Sequence, residues 1–317
     1  MRRPSNIFAR SFACVVAVLL SLPVVAAFYA LRLVPEKVAL RFSGVIGRLI
    51  RAGMKTRILE RVGWVLGPAM HEERSGAFWR EHVRHLGGCV LEPIYFFWMP
   101  DAELRQRVSV EGEEHLRAAL AAGRGAVLFL NHLGNPGAIV AGLGLRGHDL
   151  TIAGNRIVAT IAGEEVALDS VEEIVQRMFR RGGVQRALLG ERLPQRMAAT
   201  LGRNGLFAMF VDFPVVQKHN HSVAFGNASM KLNLGPAILA LRHRTPVLCV
   251  TCRRVGMNQH HLRIHPPLEA PAVDGVGRAA ASLLQQATDL LSESVRECPE
   301  QWWPWDWAQI SPGRPGP

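Results

Sequence analysis

One stretch, residues 126–137, constrains the fold more than any other. Five apolar residues, Ala126 to Leu130, have the character of a buried strand and run directly into a polar, turn-forming segment; a second apolar run, Ala138 to Leu145, has the pattern of a helix. His132 therefore lies where a strand ends. Ligands of open α/β sheets bind beyond the carboxyl ends of the strands, so this histidine is a candidate catalytic residue. A local hydrogen-bonding role is the alternative.

The rest of the chain alternates in the same way, which predicts an α/β fold: a largely parallel sheet covered by helices on both faces. The predicted strands are Leu150 to Ala153, Leu206 to Val211, Val247 to Arg253 and His261 to His265. The predicted helices include Glu164 to Arg181, Arg192 to Gly202, Gly235 to Arg242 and Val276 to Arg296.

The N-terminal segment has the pattern of a membrane anchor. No charged residue occurs from Ser11 to Leu31, a run long enough to cross a hydrocarbon core. We therefore expect a transmembrane anchor in residues 1–34. Basic residues follow the run, which favours a cytoplasmic main domain by the positive-inside tendency. A signal peptide and a buried helix are the alternatives.

Residues 35–67 have the pattern of a basic amphipathic helix lying in the membrane interface. Apolar side chains such as Val38, Phe42 and Leu49 recur on one side, and Arg41, Arg48 and Lys55 recur on another. An ordinary surface helix packed on the domain is the alternative. The globular α/β domain is expected over residues 68–310, followed by a disordered tail at 311–317.

Charge and cysteine content limit the partners and the compartment. The formal net charge is +11, but residues 1–61 carry eleven Lys or Arg against two Glu, so the excess belongs to the N-terminal segment. That distribution argues against a nucleic-acid groove across the domain and for contact with an anionic membrane surface. Five cysteines without framework spacing suit a reducing cytoplasm, and Cys249 and Cys252, three apart in a predicted strand, should point to opposite faces of the core.

From His132 to Asn135 the sequence resembles the lipid A late acyltransferase branch of the glycerolipid acyltransferase superfamily, which carries a form of the H-x4-D/E motif here. The likeness continues in order along the chain. The further matching residues are Asn155-Arg156, Arg177 or Arg181 with Gly182, Val211-Asp212, Phe225-Gly226, Gly235 to Ala240, Pro266 to Leu268 and Pro299 to Trp307.

The resemblance implies a fatty acyl transfer at the bacterial inner membrane. The donor would be an acyl thioester of acyl carrier protein or coenzyme A, and the acceptor a hydroxyl or amine of a lipid or glycolipid, with no cofactor. The residues that it implies for substrate binding are Asn135, Arg156, Arg177, Arg181, Phe225 and Gly226.

The chain departs from this family at the motif acid, where it has Gly137, and at Asp306, where a histidine is common. A histidine base needs a carboxylate that orients the imidazole, and its loss from a serine protease costs about 10⁴ in rate. Asp212 is the candidate replacement because it follows a strand as His132 does, and parallel neighbours bring both to one crevice. A turn or helix cap is the alternative role for Asp212, and a catalytically impaired, lipid-binding homologue is the alternative function.

Other catalytic classes lack their motifs. The chain has no Gly-x-Ser-x-Gly elbow, no phosphate-binding loop and no dinucleotide fingerprint after a strand. No Cys/His spacing matches a metal site. Oxyanion donors are expected among the backbone N–H groups of residues 133–137, or from Arg156.

Overall fold

The computed structural model describes residues 16, 21–67, 72–161, 164–190, 192–213, 220–272 and 275–313. Its strands are β1 (Val108–Glu111), β2 (Ala126–Leu130), β3 (Leu150–Gly154), β4 (Val158–Ile161), β5 (Glu164–Ala167), β6 (Val184–Leu188), β7 (Leu206–Phe210), β8 (Asn220–Phe225), β9 (Ala228–Asn233), β10 (Val247–Gly256), β11 (Gln259–Pro267) and β12 (Ile310–Pro312).

Helices precede, separate and follow these strands. They are α1 (21–31), α2 (Glu36–Arg41), α3 (Ser43–Ile50), α4 (Lys55–Leu66), α5 (Glu72–Trp98), α6 (Asp101–Arg107), α7 (Glu113–Ala121), α8 (Pro136–Gly144), α9 (Asp169–Arg181), α10 (Leu193–Gly202), α11 (Gly235–His243) and α12 (Val276–Glu297). Two short 3-10 turns, Pro299–Gln301 and Trp303–Asp306, follow α12.

The predicted α/β architecture is confirmed by a seven-stranded sheet in the order β1-β11-β10-β2-β7-β3-β6. Its neighbouring strands pair parallel, except that β10 and β11 are antiparallel. All five residues of β2 are buried. A strand buried on both faces needs apolar residues at every position, which is why β2 has a continuous apolar run.

Helices cover both faces of the sheet. On one face, α10, α11 and α12 contribute to a core that includes Phe129 and Cys249; on the other, α5, α7 and α8 pack around Leu128, Leu130 and Cys252. Cys249 and Cys252 therefore do lie on opposite faces, and both are free thiols. β2 and β7 are central, so the residues that follow them lie at the middle of the sheet edge.

Two predicted helices are wrong in extent. Residues Glu164–Ala167 form β5, which pairs with β4 in a hairpin, and the helix begins only at Asp169. The hairpin has β-branched residues at Val158, Ile161 and Val166, which suit a strand better than a helix. The sequence pattern predicts a helix from His71 to Gly87 and a separate aromatic, apolar run from Leu91 to Met99, but α5 continues to Trp98, 27 residues with Pro93 inside, and so includes most of that run.

The amphipathic segment is three helices, α2 to α4. The apolar side chains of α2 and α3 face outward, whereas α4 buries Ile58, Val62 and Val65 in the core. α3 packs closely on α5 through small residues: a Cβ at Gly47 would lie 1.7 Å from the Val83 carbonyl oxygen, and one at Gly87 would lie 1.8 Å from that of Ser43. Phe42 and Leu49 remain 58% and 73% exposed. α3 is thus packed on the domain by its glycine face while its larger apolar side chains stay in solvent, and α4 is packed by its apolar face.

Much of the predicted anchor, residues 1–15 and 17–20, lies outside the described residues. In the part of the chain that the structure describes, no helix has both the length and the apolar character that a membrane crossing requires. At the other end, β12 extends into the expected tail, and residues 314–317 lie outside the described ranges.

Candidate active site

His132 and Asp212 meet at the edge of the sheet, because β2 and β7 are parallel neighbours with Leu130 opposite Phe210. Each side chain is two residues beyond its strand. The Nδ1 atom of His132 lies 2.7 Å from Oδ1 of Asp212. His132 and Asp212, each selected from the sequence because it follows a strand, therefore form a hydrogen-bonded pair.

Asp212 is buried and held from three directions. Its Oδ2 accepts a hydrogen bond from the His132 backbone N–H at 2.7 Å and another from the Trp302 indole Nε1–H at 3.0 Å. A carboxylate accepts only, so Nδ1 of His132 carries the proton of the pair and Nε2 is its basic nitrogen. This arrangement is the base-and-orienter pair that acyl-transfer chemistry uses.

Aromatic rings frame the imidazole without enclosing it. Phe210 stacks on the His132 ring at 4.3 Å between centroids, and Trp307 meets it edge-on at 5.2 Å. The His132 side chain keeps 15% of its surface accessible. The ring is therefore fixed in orientation, yet it remains open to a substrate.

His132 lines a cavity of about 940 Å³. Its wall is largely apolar, with side chains from β3, β7, α9, α10 and α11. The larger apolar residues are Ile152, Val175, Phe179, Met209, Phe210 and Leu239. A cavity of this size and character suits a small molecule with a long apolar part.

Three arginines line the same cavity: Arg156, Arg186 and Arg192. Arg186 donates to Glu172 and to the Asn155 carbonyl oxygen, and Arg156 forms an exposed ion pair with Asp169 at 2.8 Å. The described residues give Arg192 no carboxylate partner. Sequence reasoning selected Arg156 but missed Arg186 and Arg192, which carry no motif.

Arg177 and Arg181, expected at the site, are not among the cavity-lining residues. Arg177 pairs with Glu173 one turn away at 2.8 Å on the exposed side of α9. Arg181 donates to the Met99 carbonyl oxygen and pairs with Asp101 at 3.0 Å. The Arg177 contact lies within α9, and the Arg181 contacts connect α9 to the start of α6.

Asn135, Phe225 and Gly226, also expected to bind substrate, are buried away from the cavity wall. The Asn135 carboxamide oxygen accepts from the Gly137 backbone N–H at 2.8 Å and so caps α8. Phe225 packs on Trp302, with ring centroids 4.9 Å apart. Gly226 accommodates a close approach, since a Cβ there would lie 2.4 Å from the Val65 carbonyl oxygen. These three residues pack in the protein interior and do not line the cavity.

Three of the four backbone N–H groups expected as oxyanion donors are already engaged. Those of Leu133, Gly134 and Gly137 donate to Asn131 Oδ1, the Gln301 carbonyl oxygen and Asn135 Oδ1. Donors in internal hydrogen bonds are not free for a developing oxyanion. Of the expected donors, the described residues leave the Asn135 backbone N–H without an acceptor, and an arginine of the cavity is also available.

A side chain does not fit at position 137. A Cβ built there would lie 2.7 Å from Cγ of Pro93 on α5 and 3.1 Å from Asn135 Oδ1. A proline ring cannot swing aside as a flexible side chain does. The position where related chains have the motif acid is therefore closed by α5 in this chain.

Behind the His132 loop lies a buried charged cluster that sequence reasoning missed. The Glu92 carboxylate accepts hydrogen bonds from both Arg254 terminal nitrogens and from Asn135 Nδ2, and His260 Nε2 lies 3.2 Å away. Burial opposes ionisation, but His260 and Arg254 outweigh it and lower the pKa of Glu92 to about 2. A lone glutamate inside the apolar run from Leu91 to Met99 is the sequence signal for such a buried pair.

Within the described residues, no three His, Cys, Asp or Glu side chains gather as metal ligands would.

Residues 6–305 match the family model described as bacterial lipid A biosynthesis acyltransferase. No curated protein sequence matches the chain. Among solved structures, the chain is similar to the 1-acyl-sn-glycerophosphate acyltransferase PlsC from Thermotoga maritima, with 15% identity, a TM-score of 0.39, and coverage of 85% of this chain and 100% of that one.

Proposed function

The chain belongs to the bacterial lipid A biosynthesis acyltransferase family, and from that membership we propose that it transfers a fatty acyl group from an acyl thioester to a hydroxyl or amine of a lipid or glycolipid. His132 acts as general base and Asp212 as its carboxylate partner. The observation that carries this proposal is the 2.7 Å contact between His132 Nδ1 and Asp212 Oδ1 at the wall of the large cavity.

The reaction proceeds by attack of the acceptor on the thioester carbonyl carbon. Nε2 of His132 takes the acceptor proton as the new C–O or C–N bond forms, and the C–S bond then breaks as the tetrahedral intermediate collapses. The imidazolium returns the proton to the departing thiolate. Asp212 stabilises the imidazolium and keeps Nε2 directed at the acceptor, as the third member of a serine triad does.

The cavity suits the two chemical parts of such substrates. Its apolar wall accommodates an acyl chain, and its arginines suit phosphate, which both candidate donors, acyl carrier protein and coenzyme A, carry on phosphopantetheine. Arg192 is the best placed of these, because Arg156 and Arg186 are already paired with carboxylates. A phosphate on the acceptor would use the same chemistry.

The proposed location is the inner membrane, with an N-terminal anchor and a cytoplasmic catalytic domain. Phe42, between α2 and α3, and Val45 and Leu49 on α3 are exposed and form an apolar face, and Arg41 and Arg48 lie beside it. Apolar side chains flanked by basic residues suit an anionic bilayer surface.

The test compares the wild-type chain with His132→Ala in a purified assay. Radiolabelled lauroyl, myristoyl and palmitoyl thioesters of coenzyme A and of acyl carrier protein are supplied with a bacterial lipid extract, and label in lipid is measured. We expect transfer by the wild type and none above background by the variant. Equal transfer by both would rule out His132 as base, and acyl-chain binding by a wild type that transfers nothing would favour a catalytically impaired, lipid-binding homologue.

A further inference from the structure

The Asp212 carboxylate depends on a residue 90 positions away in sequence. We infer that Trp302 is a positioning residue for the reaction: its indole N–H, through Asp212, sets the orientation and basicity of the His132 imidazole. This inference rests on the proposed function of His132 and Asp212. Trp302 lies in the C-terminal segment and is fully buried, so its contact is with Asp212 and not with substrate.

The main chain around Trp302 is fixed to the His132 loop on both sides. The Gly134 backbone N–H donates to the Gln301 carbonyl oxygen at 3.0 Å, and the Trp303 backbone N–H donates to the His132 carbonyl oxygen at 3.1 Å. Leu133 and Trp302 form an antiparallel bridge between these bonds. The C-terminal segment thus runs along the loop that carries the base.

The Trp302 ring is held as firmly as its backbone. Phe225 packs on it at 4.9 Å, and Trp305 meets it edge-on at 4.8 Å with an interplanar angle of 90°. A ring held on two sides presents its N–H in one direction. This packing gives Phe225, which does not line the cavity, a role in keeping the indole in place.

The indole N–H helps to determine which carboxylate oxygen of Asp212 accepts from the His132 imidazole. With Trp302 and the His132 backbone N–H both on Oδ2, Oδ1 is left for the imidazole. A hydrogen bond to an ionised acceptor is stronger than a neutral one, so the indole also draws charge toward Oδ2. Removing it leaves Oδ1 more basic and favours the imidazolium, which moves the acid limb of the pH–rate profile to higher pH.

The thiol of Cys249 is a further titratable group close to Asp212. Cys249 lies on β10, and burial, with a further contribution from the Asp212 charge, raises the pKa of its thiol to about 12. The thiol is therefore neutral throughout the working range. It cannot supply the change in pH dependence expected of Trp302.

The experiment compares Trp302→Phe with Trp79→Phe in the full-length chain. Trp79 is the control, because it lies on helix α5 against the same core and its ring meets that of His82 at 6.2 Å, away from the Trp302–Asp212 contact. We expect Trp302→Phe to lower kcat about tenfold to a hundredfold and to move the acid limb of the pH–rate profile to higher pH, and Trp79→Phe to leave that limb in place. In an Asp212→Asn background, Trp302→Phe should add no further loss. An additive loss, or an equal shift of the acid limb in both single variants, would overturn the inference.

A spectroscopic measurement tests, independently of activity, whether the Trp302–Asp212 hydrogen bond affects the His132 imidazole. In chains with ¹⁵N-labelled histidine, the His132 signal is assigned by its loss in His132→Ala. Its Nδ1–H resonance should move downfield in Trp302→Phe and stay in place in Trp79→Phe. Benzothienylalanine at position 302, which replaces the indole N–H by sulfur in the same shape, should give the same shift without a void. An unmoved resonance in both 302 variants would refute the role of Trp302, whereas lack of transfer by the wild type with a moved resonance would count against the proposed function alone.

Discussion

At the scale of single residues, the chain has no carboxylate at the motif position but has one at another position beside the histidine. Gly137 stands at the motif position, yet Asp212 is hydrogen-bonded to the His132 imidazole. This pairing could be predicted from sequence, because both residues follow apolar strands and parallel strands end at the same edge. The Trp302 contact could not, since no local pattern indicates which donor a distant segment will bring to a carboxylate.

Restoring an acid at position 137 tests whether the site has been rebuilt around the glycine. We predict that Gly137→Glu does not raise acyl transfer and lowers the free energy of unfolding by about 1–3 kcal/mol, because the added Cβ overlaps the Pro93 ring. Urea denaturation and the transfer assay measure the two effects.

Gly63→Glu is the control for this substitution. It lies in helix α4, and nothing is within 4 Å of a Cβ added there. We expect it to change neither stability by more than about 1 kcal/mol nor activity. A large gain of activity in Gly137→Glu would mean instead that the site is a decayed form of the motif.

At the scale of elements, prediction succeeds where a segment is both apolar and central. β2, β7 and the first half of β10 are buried on both faces, so their apolar runs mark them clearly. It fails for β5 and for the end of α5. The four-residue β5 is too short for a period to distinguish it from the start of a helix, and α5 continues through Pro93, where a proline usually ends the pattern.

Helix α5 makes stability depend on pH through His82. This side chain is buried, its Nδ1 donates to the Glu300 carbonyl oxygen at 2.9 Å, and burial lowers its pKa from 6.5 to about 4. The unfolded chain therefore takes up a proton first as the pH falls. The stabilisation is complete above pH 6.5 and is lost progressively toward pH 4.

We predict that the free energy of unfolding falls more steeply between pH 7 and pH 5 in the wild type than in His82→Gln, with a difference of about 2 kcal/mol. Urea titrations of the detergent-solubilised chain at the two values measure it. His221→Gln, at an exposed position on β8, should behave as the wild type. Equal pH dependence in wild type and His82→Gln would show that this imidazole is not buried in its neutral form.

At the scale of the whole molecule, the exposed apolar helices and the active site are joined through the C-terminal segment. Arg51, at the end of α3, pairs with Asp306 at 2.6 Å and donates to the Trp303 carbonyl oxygen at 2.8 Å. Asp306, which departs from the family pattern, thus has a buried basic partner. The apolar face of α2 and α3 is held in a fixed relation to the segment that carries Trp302.

This geometry predicts that the α2–α3 face enters the bilayer. In the full-length chain reconstituted into liposomes, an environment-sensitive fluorophore on Phe42→Cys should emit further to the blue than one on Val276→Cys, and brominated lipid should quench only the former. Val276 is a matched control because it is also apolar and 44% exposed, on helix α12. Cys14, which lies outside the described residues, is replaced by Ser in both variants, and Cys89, Cys249, Cys252 and Cys298 are buried and should label slowly. Equal emission and quenching at both positions would exclude this face from the membrane.

If Asp212 supplies the carboxylate for His132, removing its charge must slow the reaction, and kcat of Asp212→Asn measures this. The control is Asp149→Asn, whose carboxylate lies at the opposite end of the sheet in an exposed pair with Arg203 at 3.0 Å. We expect kcat to fall by about 10⁴ in Asp212→Asn, with KM for the thioester little changed, and to stay close to the wild-type value in Asp149→Asn. A wild-type kcat in Asp212→Asn would contradict it.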